Sequence, residues 1–240
     1  MAELHRIERG GFAAPHTTDQ LNTQVAAFLR AVYGWMAAGL VITATTAWLV
    51  AGSPGMVVAI ASNRLLFWGL IIAQLGLVLT LSARVHKLAP VTASVLFIAY
   101  AAITGVTLSF ILLLYTGASI ATTFVVTAGM FGALAMYGTV THRNLQGAAQ
   151  FLFMGLVGVV LASLVNMFWQ NDGLQFVISF IGVIVFTGLT AYDAQRLKAM
   201  ALALPSGQAG SHAVVGALAL FLDFINLFLF MLRFMGHRRD

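Results

Sequence analysis

Residues 213–234 read AVVGALALFLDFINLFLFMLRF. Twenty of them, Ala213 to Leu232, rise roughly 30 Å as a helix, the thickness of a bilayer's hydrocarbon core, and Asp223 is the only charged residue among them. An ionised Asp at the centre of a membrane helix costs about 2.5–3.5 kcal/mol on insertion scales, so it needs a partner, a proton or a watery cavity. From Ala219 to Leu227 no basic residue is available, which makes that partner a tertiary one.

The composition agrees with a membrane setting. The chain has 240 residues, 60% hydrophobic and 8% charged, with mean hydropathy +0.95; a soluble domain carries about 25% charged residues. There is no cysteine, hence no disulfide, thiolate metal site or thiol nucleophile. The net charge of +5 comes from basic residues scattered singly between apolar runs, which argues against nucleic acid as a partner.

Seven apolar segments are long enough to span, near 26–50, 65–83, 90–115, 118–140, 148–169, 174–197 and 212–235. The runs are continuous, not alternating, so the spans are helices. The fold expected is an all-α integral membrane protein: a seven-helix bundle over 26–235, an N-terminal cytoplasmic tail at 1–25 and a short C-terminal tail at 236–240. The first 25 residues lack the apolar core of a signal peptide, so no cleavage is expected. Turn signals fall between spans: Gly52-Ser53-Pro54-Gly55, Pro90, Thr116-Gly117, Asn171-Asp172-Gly173 and Pro205 to Gly210.

Seven crossings place Arg6, Arg9, Arg30, Arg84, Lys87, Arg143, Arg196 and Lys198 on the N-terminal side and Arg64, Arg233, Arg238 and Arg239 opposite. That imbalance favours a cytoplasmic N-terminus in the cell (inner) membrane. A re-entrant last segment would sharpen it, but the length of 213–234 favours a full crossing.

Asp193, in TAYDAQ at 190–195, is the second acidic residue within the spans, one helix before Asp223. With the connecting loop near Pro205 to Gly210, each lies about 16–18 Å along its helix, so antiparallel packing holds them at one depth. Asn226 at i+3, with Gly216 and Ala219 at i−7 and i−4, gives a small and polar stripe around Asp223. Two carboxylates in low dielectric cannot both ionise cheaply and share one proton. Protonated, they lock two helices together; deprotonated, they repel and form an anionic site for a hard cation such as calcium, whose six to eight ligand positions two carboxylates underfill. A simple ion pair with Arg196 at i+3 is the plain alternative for Asp193. Arg30 and Arg84 are available as counter-charges or as interface markers.

Other polar residues have ordinary readings. Gln74, Asn166 and Gln195 suit interhelical hydrogen bonds. Gly129, Gly132, Gly155, Gly158, Gly182 and Gly188 suit close packing, and Trp35, Trp48, Trp68 and Trp169 suit interfacial anchoring. His86, His142 and His212 have no ligand spacing, so no resident metal or other cofactor is expected.

TAYDAQ at 190–195 and LALFLDFINLFLFMLR at 218–233 resemble the transmembrane BAX inhibitor motif family, the Bax inhibitor-1 family. FLRAVYGWMAAGLVIT at 28–43 resembles its first helix, and TAGMFGALAMYGTVTHRNL at 127–145 its fourth helix and following loop. The resemblance implies seven helices with the last one central and six around it. It also implies a pH-dependent calcium leak with Asp193 and Asp223 as sensor, supported here by Tyr192 and Asn226; the two aspartates are also the residues that would meet a bound calcium. Where the family often has a flanked Asp in the loop, this chain has Thr141-His142-Arg143-Asn144. The competing function is a non-transporting regulatory protein that binds a membrane protease or another integral partner. An enzyme is not expected: an aspartyl protease of the membrane would have Gly-x-Gly-Asp where this chain has Leu220-Phe221-Leu222-Asp223, and the last helix has no lysine for a retinal Schiff base.

Overall fold

The computed structural model of the chain describes residues 18–84, 87–204 and 209–239. The helices are α1 (Thr18–Ala51), α2 (Pro54–Ser62), α3 (Arg64–Ala83), α4 (Pro90–Leu114), α5 (Gly117–Val140), α6 (Gln146–Trp169), α7 (Asp172–Ala203) and α8 (Ala209–Met235). All but α2 are long and apolar enough to cross a bilayer, and among the described residues there is no strand. The seven expected spans are therefore present. The main differences are that α1 starts at Thr18 rather than 26, that α7 runs on to Ala203 rather than 197, and that the first turn carries the extra short helix α2, begun by Pro54 at its first position, where a missing N–H costs nothing. The rest of the expected tail, residues 1–17, lies outside the described residues, as do His86, most of the loop at 205–210 and residue 240.

The last helix is the core. Phe221, Leu220, Leu227 and Ala217 of α8 are fully buried, and α8 packs against α7, α1, α5 and α4. Phe221 meets Phe97 and Tyr100 of α4 edge-on, with ring centroids 5.8 Å away in each case. Trp35, partly buried, packs edge-on against Phe97 as well; the early start of α1 puts it at mid-helix, away from the helix end expected of an interfacial anchor. The six other spans do not surround α8 evenly: α6 packs on α7, and α3 leans mainly on α4.

Interhelical contacts are close where side chains are small. Gly138 of α5 lies against the Ala191 carbonyl of α7, leaving no room for a Cβ, and Gly216 of α8 faces Leu197 of α7. Gly155, Gly182 and Gly188 also face neighbours tightly, whereas Gly129, Gly132 and Gly158 face open space and do not serve packing within the chain. Gln195 Nε2 donates to the Arg143 carbonyl at 2.8 Å, and its Oε1 accepts from the Leu145 N–H at 3.0 Å. This pins the α5–α6 loop to α7. Gln74 donates to Thr107 at 2.9 Å, and Asn166 donates to Gln175 at 3.1 Å.

The two ends of the bundle are fixed by main-chain groups. At one end Gln24 of α1 donates to the Ala201 and Leu204 carbonyls, each at 3.0 Å, and Lys198 donates to the Thr139 carbonyl at 2.7 Å. At the other end Arg238 forms a β-bridge with Tyr115, Thr116 N–H donates to the His237 carbonyl at 3.2 Å and Arg239 N–H to the Leu114 carbonyl at 2.9 Å. The C-terminal tail thus sits with the α4–α5 turn, at the opposite end from the start of α1. α8 therefore runs unbroken from one end of the bundle to the other and does not turn back.

Gly138→Ala should therefore lower stability by about 1–3 kcal/mol, because the neighbour is backbone and cannot yield, while Gly132→Ala should change it by less than about 0.5 kcal/mol; thermal unfolding in detergent reads both. Gln195→Leu leaves the Leu145 N–H without its acceptor, a loss of about 1–3 kcal/mol, and hydrogen exchange at 143–146 should accelerate.

Candidate functional site: a carboxyl pair beside the central helix

Asp193 and Asp223 reach the same place because α7 and α8 are antiparallel neighbours joined by a short connection. The two carboxyl groups stand against each other, close enough for a side-chain hydrogen bond when one proton is shared. Asp223 is buried, 5% exposed, and its Oδ2 has no hydrogen-bond partner among the described residues. Asp193 also has Arg196 one turn on, with N···O at 3.9 Å. That separation exceeds a hydrogen bond, and Arg196 is 60% exposed against 17% for Asp193. The ion pair expected from the i,i+3 spacing is present, as a long one that coexists with the carboxyl pair.

Both aspartates line a groove of about 790 Å³ between α6, α7 and α8. Ala219, Asp223, Asn226, Phe230 and Arg233 line it from α8, at the spacing of three and four that marks one helix face. Tyr192, Asp193 and Arg196 come from α7, Ser163 from α6 and Ser82 from the end of α3. A smaller cavity of about 340 Å³ adjoins it, sharing Ser82, Arg196, Ala219 and Leu222 and reaching His212. Together they make a track beside α8 from His212 to Arg233, roughly 31 Å of helix. Its polar groups stand in otherwise apolar walls, with the carboxyl pair near the middle. A separate cleft of about 680 Å³, lined by α1, the end of α7 and the start of α8, contains Asp19 but neither member of the pair.

The expected supporting residues separate into two groups. Asn226 and Tyr192 line the groove; Asn226 Nδ2 donates to the Leu222 carbonyl at 2.8 Å, which leaves its Oδ1 as an acceptor. Arg30 and Arg84 are exposed and line neither cavity. The basic residues of the track are Arg196 and Arg233 instead. Arg233 was readable as the next member of the 219/223/226/230 stripe; Ser163 and Ser82 had no such signal, because nothing in local spacing ties α6 or α3 to α8.

The arrangement can do one of two things chemically. Two carboxyls in contact, one of them with a buried oxygen that has no partner among the described residues, can hold a proton between them or admit a cation. Among the described residues no third His, Asp or Glu joins them to form a ligand cluster. A hard cation would therefore complete its shell with carbonyl or amide oxygens, hydroxyls and water.

The model of the family described as inhibitor of apoptosis-promoting Bax1 matches residues 25–240. The inner membrane protein YbhL of Escherichia coli is 50% identical over 215 residues, covering 88% of this chain and 92% of that protein. A protein of Borreliella burgdorferi is 45% identical, covering 89% of this chain and 93% of its own length. One of Deinococcus radiodurans is 44% identical, covering 93% and 94%. A match over residues 25–240 places the chain in the Bax inhibitor-1 family.

Proposed function

We propose that this protein is a passive, proton-gated cation leak with calcium as the ion, and not an enzyme. The observation that carries the reading is the carboxyl pair set midway along two adjoining cavities, with scattered polar groups in apolar walls, that follow the central helix for the depth of a bilayer. With a shared proton, the pair bridges α7 and α8 and closes the track at its middle. Loss of that proton replaces the bridge with like-charge repulsion, which Arg196 at 3.9 Å offsets only in part. The helices then ease apart and two carboxylates face the track, joined by the Asn226 oxygen and water as ligands for a hard cation. The flux therefore rises as pH rises, and acid shuts it.

The likeness to an inner membrane protein and the seven apolar helices support a multi-pass protein of the inner membrane. The excess of Lys and Arg at the end of the bundle that holds the start of α1 supports a cytoplasmic N-terminus. Arg239 would then face the periplasm.

Liposomes containing the purified protein and an entrapped calcium dye provide the test. Calcium entry should increase roughly tenfold from acid to alkaline pH, the ratio set by about 1.4 kcal/mol of helix locking. Asp193→Asn and Asp223→Asn should each flatten that response, since an amide neither shares nor releases the proton. Equal, pH-insensitive rates in all three proteins would sink the proposal. The absence of cysteine makes orientation directly measurable: Arg239→Cys should react with a membrane-impermeant maleimide added from the periplasmic side, and Asp19→Cys should not.

A further inference from the structure

The groove beside the carboxyl pair is far larger than an ion needs. Its volume, about 790 Å³, is that of a pocket for a small organic molecule, roughly 300–1,000 Å³. Most of the wall is hydrocarbon: Phe153, Leu156 and Leu164 of α6, Phe186 of α7, and Leu229 and Phe230 of α8. Phe153 and Leu164 are also exposed on the lateral surface of the bundle. In a bilayer that surface meets lipid, so an amphiphile can enter the groove from the side.

Near the middle of this apolar wall stand acceptors that lack donors. Asp223 is 5% exposed and lines the groove, and its buried Oδ2 has no hydrogen-bond partner among the described residues. Asn226 follows one turn on along the same face of α8. Its Nδ2 is committed to the Leu222 carbonyl at 2.8 Å, which leaves Oδ1 to accept. Asp193 adds a second carboxyl, claimed in part by Arg196 at 3.9 Å, so Asp223 is the open anchor. Calcium here must draw most of its six to eight ligands from water. A protonated amine needs only two or three acceptors, and each of its N–H groups makes a charge-assisted bond. Farther along the groove, ~15 Å from Asp223 by helix rise, the Arg233 guanidinium stands 5.8 Å from the Phe230 ring centroid. A second positive charge at that end would be repelled, and an apolar body would not.

We propose that the groove is a binding site for an amphiphilic organic monocation, a primary ammonium carrying an aromatic or aliphatic body. Its N–H groups sit on Asp223 and Asn226, and its body lies along Leu229 and Phe230. This ligand and a passing ion require the same space and the same carboxyls, so their occupancies exclude each other and the ligand is a reversible blocker. Binding rests on the geometry of Asp223 and the groove; the block rests in addition on the leak reading.

Monodansylcadaverine, a primary ammonium on a fluorescent aromatic body, is the probe, added to the full chain in phosphatidylcholine nanodiscs without calcium. Its fluorescence should rise saturably to one probe per chain above the signal from empty nanodiscs. The N-acetylated probe, with the same body and no charge, should bind at least tenfold more weakly, and methylammonium, with the charge and no body, should not displace the probe. Asp223→Asn should weaken binding at least tenfold. Ser163→Trp, which fills the groove from α6 and leaves both carboxyls in place, should do the same and keeps the test decisive if the first variant misfolds. Equal affinity for the acetylated probe, unchanged affinity in Ser163→Trp, or displacement by methylammonium at equal concentration would each overturn the proposal. In liposomes the probe should reduce calcium entry in step with its binding; saturable binding in nanodiscs with no calcium entry to reduce would uphold the site and count against the leak alone.

Discussion

A carboxyl oxygen with no donor, buried in the middle of a membrane-spanning helix, is the constraint around which this bundle is built. Hydrocarbon offers Asp223 no water, and α8 offers it no basic neighbour, so the requirement passes to α7. Asp193 meets it only if the two share a proton or accept a cation, since both ionised in contact would repel in low dielectric. The pair is thus a joint between α7 and α8, which pack closely on each other.

That joint is useful because its surroundings are otherwise stiff. Gly138 against the Ala191 carbonyl seats α7 on α5 two residues before Asp193, and Gln195 ties the loop before α6 to α7 two residues after it. On the other side, Phe221 is fixed between Phe97 and Tyr100 two residues before Asp223. Each aspartate is therefore carried on a segment braced just beside it. The open space lies on the α6 and α3 side, where packing on α8 is sparse.

The C-terminal clasp contributes a different element. By bonding residues 237–239 to the α4–α5 turn, it fixes the end of α8 against its neighbours.

Sequence alone determined the class, the number of spans and the membrane depth of both aspartates. Hydrocarbon enforces helices of a set length, and any acid within one stands out against apolar neighbours. It also made Gln195 legible as an interhelical residue, because a polar amide within a span has few alternatives. What it left undecided depended on which helices touch. Trp35 read as an anchor until α1 proved to begin at Thr18; Gly129, Gly132 and Gly158 read as packing glycines although they face open space; and Arg30 and Arg84 read as possible counter-charges, whereas Arg196 and Arg233 line the groove. Lipid does not distinguish one apolar helix face from another, so neighbours are chosen by shape, by small residues and by a few hydrogen bonds. Only the tertiary structure decided that α6 packs on α7 and stands clear of α8, and the groove beside Asp223 exists for that reason.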